Sequence, residues 1–125
     1  MGETFLNISN HSSQNWDKNQ RAAAEKYGQI VDLPFPLVSA EAGEQEIREI
    51  ASTILEKAMA LHPAAVMCQG EFTLTYRLVR SFLSAGIPCL AACTERDVTE
   101  KISADGTSTK TSAFRFVKFR RFEND

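Results

Sequence analysis

The sequence predicts an α/β domain with a mostly parallel sheet, helices on both faces and an antiparallel hairpin at the C-terminal end. Three observations lead there. First, Ala64 to Thr94 holds an apolar run (Ala64 to Cys68), a glycine, a segment with Leu74, Leu78, Val79, Phe82 and Leu83 at three- and four-residue spacings, and a second apolar run (Ile87 to Cys93). Strand, helix and strand joined by short loops make a parallel βαβ unit. Second, neither apolar run alternates with polar residues, as befits strands covered on both faces. Third, Asp105-Gly106 separates two alternating segments, a strong hairpin signal.

The elements follow in order. Thr4 to Ser9 is a short first strand through Phe5, Leu6 and Ile8, and Asn10-His11-Ser12-Ser13 is a polar loop at its carboxyl end. Ser13 or Asn15 can cap a helix running from about Trp16 to Tyr27, which Gly28 ends. Gln29 to Leu33 is the second strand, and Pro34-Phe35-Pro36 forces an extended exit from it. Glu41 to Leu61 is the clearest helix, with Ile47, Ile50, Ala51, Ile54, Leu55, Ala58 and Leu61 on one stripe. Glu41, Glu44 and Glu46 gather at its start, where the helix dipole favours negative charge, and His62-Pro63 ends it.

The βαβ unit comes next. After Arg96, Val98 to Ile102 leads into the Asp105-Gly106 turn, and Thr109 to Phe122 returns with Phe114, Phe116, Val117 and Phe119 interleaved with Arg115, Lys118, Arg120 and Arg121. The order β-α-β-α-β-α-β-β-β with right-handed crossovers gives one Rossmann-like three-layer domain over residues 1–125. The expected order of the parallel strands is 2-1-3-4. There is no internal repeat, low-complexity tract or linker.

Bulk properties narrow the function classes. A chain of 125 residues fits one domain with a modest core, and 43% hydrophobic with 24% charged residues is ordinary for a soluble protein. A net charge of −2 argues against coating long nucleic acid. The second half is the more basic one, with nine Lys/Arg against seven Asp/Glu over residues 63–125. Cys68, Cys89 and Cys93 lie in apolar strands, an odd number without paired spacing, which suggests buried free thiols in a reducing cytoplasm. No signal-peptide pattern and no membrane-spanning apolar run is seen.

In such sheets ligands gather at the carboxyl ends of the strands. Gly70, within Gln69-Gly70-Glu71-Phe72-Thr73, suits close approach of a ligand, and the following helix start offers free N–H groups for a phosphate. An ordinary strand-to-helix turn capped by Gln69 and Thr73 explains the same residues. His11, beside Asn10 and Ser12, is a candidate proton-transfer group or anion contact, or else a solvent-facing loop histidine. Arg96, near Thr94, has the fork for a phosphate, or pairs with Glu95, Asp97 or Glu100. Lys110 is a weaker candidate, and His62 reads as structural. No Cys/His/Asp cluster has metal-ligand spacing, so neither metal nor other cofactor is expected. No Ser-His-Asp signature is present.

Several pieces taken together carry a resemblance. They are Asn-Ile-Ser-Asn-His (7–11), Gln-Gly-Glu-Phe with Tyr76 after it, Gly-Ile-Pro (86–88), Thr-Glu-Arg with Glu100 after it, Asp-Gly (105–106) and Phe-Arg-Phe-Val-Lys-Phe-Arg-Arg-Phe (114–122). The set resembles a group of small single-domain CRISPR-associated proteins of type III systems, allied to the CARF superfamily and the ring nucleases. The acidic Glu41-to-Leu61 helix region departs from that pattern. The resemblance implies binding of cyclic oligoadenylate, and it implies ring cleavage as an activity, which needs no metal where a 2′-OH is positioned and donors face the phosphate. A domain this small cannot enclose a nucleotide ring alone, so a homodimer is expected. His11 and Arg96 would then be catalytic, with Asn10, Ser12, Gln69, Gly70, Glu71, Thr73, Thr94 and Lys110 as ligand contacts. Three readings stand side by side: a ring nuclease, a module that holds the nucleotide without turnover, and a small interaction protein using its basic-aromatic last strand.

Overall fold

The computed structural model describes residues 3–124. Its elements are β1 (Thr4–Ser9), a single 3-10 turn (Ser13–Asn15), α1 (Lys18–Glu25), β2 (Gln29–Asp32), α2 (Glu44–Ala60), β3 (Pro63–Gln69), α3 (Phe72–Ser84), β4 (Cys89–Ile102) and β5 (Ser108–Arg121). They build one five-stranded sheet in the order β2-β1-β3-β4-β5. The first four strands are parallel and β5 runs antiparallel to β4. The predicted fold class and strand order are therefore present.

Side-chain alternation sends each parallel strand's residues to two opposite cores. Leu6 and Ile8 of β1, Val66 and Cys68 of β3 and Cys89 of β4 meet Ile47, Ala51, Ile54 and Ala58 of α2 and Leu74, Leu78, Val79 and Phe82 of α3. On the other face Phe5, Ala65, Met67 and Leu90 pack with Ala24 of α1, Trp16 and Phe119. Helices thus cover both faces, which makes the three layers. Phe5 anchors the second core, with its ring centroid 6.2 Å from Trp16, 5.7 Å from Tyr27 and 5.3 Å from Phe119. Small residues make that reach possible, because Ala65 stands opposite Phe5 and Ala92 opposite Phe119.

Several element boundaries differ from the sequence reading. The first helix begins after Trp16, because Asp17 caps it by accepting from Gln20 N at 2.8 Å. The second strand stops at Asp32, one residue before Leu33. The long helix starts at Glu44, since Gly43 rather than an earlier residue takes the extended N-cap geometry. It ends at Ala60, with Leu61 as its C-cap rather than its last residue, and His62 adopts a left-handed φ of 49° before β3 begins at Pro63.

The largest difference is in β4. The fourth strand and the first hairpin strand are a single element, Cys89 to Ile102. β3 accompanies it only at Val66–Cys89 and Met67–Leu90. Beyond that, β4 and β5 continue alone as a two-stranded arm, closed by a turn in which Gly106 has φ 86° and Thr107 N donates to Asp105 Oδ1. Lys118 pairs with Cys93 and Phe116 with Thr94, so Val117 is an extra residue, a β-bulge. The bulge turns Phe116 onto the same face as Phe119, with ring centroids 4.9 Å apart.

Candidate functional site

The carboxyl ends of β1 and β3 lie side by side, Ser9 opposite Gln69. The chain leaves β1 toward α1 on one face of the sheet and β3 toward α3 on the other. That divergence opens the crevice where open α/β sheets hold ligands.

On the β1 side a polar network shapes the loop. Asn7 Nδ2 donates to Asp32 Oδ1 and to the His11 carbonyl, both at 2.9 Å. Ser9 Oγ donates to Asn7 Oδ1 at 2.7 Å. Asp32 also accepts from Ser12 Oγ at 3.3 Å, Ser13 Oγ at 3.1 Å and Ser13 N at 3.2 Å. Asn7 and Ser9 are buried, so this bonding removes the cost of placing them inside. A cavity of about 270 Å³ opens beside the network, lined by Asn7, Ser9, Asn10, Ser12 and Asp32 with Pro34 and Phe35 as its apolar wall. The reading of the sequence missed Asp32. Its signal was there: an acidic residue at the end of the second strand of such a sheet is where a ribose hydroxyl is commonly held.

On the β3 side each expected ligand residue has an intramolecular duty. Gln69 Oε1 accepts from Ala92 N at 2.6 Å, extending the β3–β4 ladder with a side chain where the strands part. Gly70 does serve a close approach, but of Phe35: a Cβ there would lie 2.5 Å from that ring. Glu71 caps α3, accepting from Leu74 N at 2.8 Å and Thr73 Oγ1 at 2.7 Å. The Thr73 hydroxyl first, and then the Leu74 N–H, hold its carboxyl below the usual carboxylate range. A carboxylate therefore occupies the helix start where a phosphate was expected.

The remaining candidates scatter. His11 is exposed on the β1 loop, its backbone fixed by Ser9 and Asn7. Arg96 does not stand at a strand end, since β4 continues to Ile102, and its Nε donates to Ser112 Oγ at 3.1 Å. Ala92 is level with Gln69, so Arg96 sits four positions beyond the sheet edge, about 13 Å out at an ordinary strand rise. Thr94 is nearer, and Lys110 is farther along the arm, 3.9 Å from Glu100. The structure thus gathers Asn10 and Ser12 at one pocket and leaves Arg96 and Lys110 on the arm.

Glu71 and Thr73 face a different space. A groove of about 1190 Å³ runs between the start of α2 and α3, with Val38, Ile47, Phe72, Tyr76, Arg77 and Arg80 among its walls. The Arg80 guanidinium lies 5.8 Å from the Tyr76 ring centroid. Phe72 and Tyr76 are exposed, and Arg77 and Arg80 form no ion pair among the described residues. Their spacing on the outer face of α3 carried that information, but exposed aromatics on a helix read equally as packing residues.

Among the described residues no group of His, Cys, Asp and Glu has the geometry to hold a metal ion, and no helix is long and apolar enough to cross a membrane. Cys68 and Cys89 are buried free thiols; burial pushes Cys89 up to about 12, and burial with the neighbouring Cys89 pushes Cys68 up as well.

The fold and its strand-end loops define a small single-sheet α/β protein with a polar pocket at the carboxyl edge. The chain belongs to the uncharacterized protein MJ1673 family, whose model matches residues 3–120. No curated protein and no solved structure matches it.

Proposed function

We propose that this protein is a homodimeric cytoplasmic module that binds cyclic oligoadenylate at the carboxyl edge of its sheet. The observation that carries the reading is the pocket at the end of β1, where Asn7, Ser9, Asn10 and Ser12 face Phe35 and Pro34. A polar rim with an apolar wall suits a nucleoside, and about 270 Å³ admits one nucleoside rather than a whole ring. A ring with two-fold symmetry then fits two such pockets brought together by a two-fold dimer. Asp32 and Glu71 do not favour a phosphate, but carboxylates accept from ribose hydroxyls and base amino groups. Thr94, at the base of the arm, supplies a hydroxyl beyond the edge for the phosphates. Free cysteines are at home in a reducing cytoplasm.

Binding without turnover is favoured over cleavage, because His11 is not among the residues that line the pocket and Arg96 is out on the arm. The α3 groove favours a second seat for the same ligand: Phe72 and Tyr76 suit base stacking, and Arg77 and Arg80 suit phosphate.

The test is to mix pure protein with labelled cyclic tetra-adenylate or hexa-adenylate, without divalent metal, and to follow affinity and product length. Asn10→Ala and Ser12→Ala should each weaken binding by roughly tenfold. Weakening by Arg77→Ala and Arg80→Ala instead moves the ligand to the α3 groove. If the ring is cut, His11→Ala should slow cutting by about 100-fold and spare affinity. Absence of binding at tens of micromolar protein refutes the reading.

A further inference from the structure

The sheet has three free edges, and they differ. β2 is short and runs into Pro34 and Pro36, which cannot donate to a neighbouring strand. The outer edge of β5 carries Lys110, Arg115, Lys118, Arg120 and Arg121 and no acidic residue, so a second copy of that edge is repelled. The third edge is Thr94 to Ile102 of β4, on the side away from β5. β3 has already parted from β4 at Leu90, so no strand covers this edge among the described residues. It has no proline or bulge, and its charges are of both signs.

Those charges are arranged symmetrically. The segment reads Thr-Glu-Arg-Asp-Val-Thr-Glu-Lys-Ile. An antiparallel copy centred on Val98 sets Glu95 against Lys101, Arg96 against Glu100, Asp97 against Thr99 and Thr94 against Ile102. Every Lys and Arg of the segment meets a carboxylate, and no like charges stand opposite. Within one chain Arg96 and Lys101 have no ion partner among the described residues, while Glu95 shares Arg115 with Asp97 and Glu100 meets Lys110 at 3.9 Å. Opposite charges directly across an antiparallel pair are stabilising, and a two-fold axis makes each off-centre pair occur twice.

The arm also needs covering. A two-stranded ribbon is marginal in water by itself. Here Val98, Ile102 and Phe114 are 57%, 74% and 74% exposed. Pairing of two arms makes a four-stranded sheet and brings the two Val98 side chains together at its centre.

We propose that β4 pairs with β4 of a second copy of this chain, antiparallel about Val98, to form a continuous β5-β4-β4-β5 sheet across a two-fold dimer. The same register carries the partner's turn past Thr94 toward the edge where Gln69 meets Ala92. Each copy then lends its turn to the other's strand-end crevice. The pairing supplies the interface for the dimer assumed in the nucleotide reading, but it needs no nucleotide, so each can fail without the other.

The test is sedimentation of the full chain without ligand, over a range of concentrations. A dimer is expected at micromolar protein. Lys101→Glu places like charges opposite Glu95 in both halves and should weaken the dimer at least roughly tenfold. The double variant Glu95→Lys with Lys101→Glu restores both pairs and should recover it, and circular dichroism checks that each variant is folded. In a Cys93→Ser background, Val98→Cys should yield a disulfide-linked dimer on mild oxidation, because directly opposed residues lie within disulfide reach. A monomer at about 100 µM, or a dimer that ignores Lys101→Glu and gives no cross-link at position 98, overturns the proposal.

Discussion

β4 passes through two environments, and comparing its halves separates what holds this protein together from what it exposes to solvent. Cys89 and Leu90 are buried between two helical layers. From Thr94 onward every residue of the same strand is exposed. The first half is fixed by neighbours on both sides, and its apolar residues are consumed by packing. The second half has one neighbour, β5, and spends its side chains on charge. Stability therefore belongs to the parallel core, while the strand-end loops and the arm carry the exposed polar and charged side chains.

The sharpest way to break that comparison is a pair of phenylalanine truncations. Phe5→Ala removes a fully buried ring from the aromatic cluster and should cost about 3–5 kcal/mol in a denaturant titration. Phe114→Ala removes an exposed ring and should cost less than about 0.5 kcal/mol when read on the monomer. Similar losses from both would mean that the arm is structural. The β1 loop stands between these extremes. Asp32→Ala deletes the acceptor shared by Asn7, Ser12 and Ser13 and should cost about 1 kcal/mol, modest because the carboxylate is exposed. Faster amide exchange should be confined to the segment from Asn10 to Gln14.

The smallest effect concerns the thiols. A thiol reagent should modify Cys93 in the native protein, and Cys68 and Cys89 only on unfolding. Unfolded thiols ionise from about pH 8.5, whereas folded Cys89 holds its proton to about 12. The native state retains more protons across that window, so stability should fall as pH rises through it. A flat alkaline profile, or native Cys89 reacting as fast as Cys93, would place the core thiols outside the sealed layer.

Much of this was legible in the chain itself. The apolar runs at Ala64–Cys68 and Ile87–Cys93 did become adjacent parallel strands, because burial on both faces leaves no other use for such runs. The stripe from Ile47 to Ala58 became the buried face of α2, and Asp105-Gly106 became the turn. The site was less legible. Strand-end residues can be placed by topology, but their partners cannot. Gln69, Gly70 and Glu71 have the chemistry of ligand contacts, yet here they brace Ala92, admit Phe35 and cap α3. Asp32, expected inside a strand running to Leu33, is instead the last residue of β2, where Asn7, Ser12 and Ser13 converge on it. The single long β4 was hidden because its hydropathy changes midway, where covering neighbours end rather than where the strand does.

The Asp105-Gly106 turn has a consequence for the order in which the chain assembles. It joins β4 to β5 with the shortest loop closure among the strand pairings, starting from Ile102 opposite Ser108. Hairpins of this kind form in roughly 1–10 μs, well before chain ends distant in sequence can meet. The pairing of β1 with β3 must close Ser9 onto Gln69 across the whole of α1, β2 and α2. Such non-local parallel pairing is the slow step in folds of this type. During synthesis the position is reversed, because β1, β2 and β3 emerge before the hairpin exists. A newly made chain then exposes the β3 segment until β4 arrives, and the apolar run Ala64–Cys68 is the surface that a nascent-chain chaperone would have to shield.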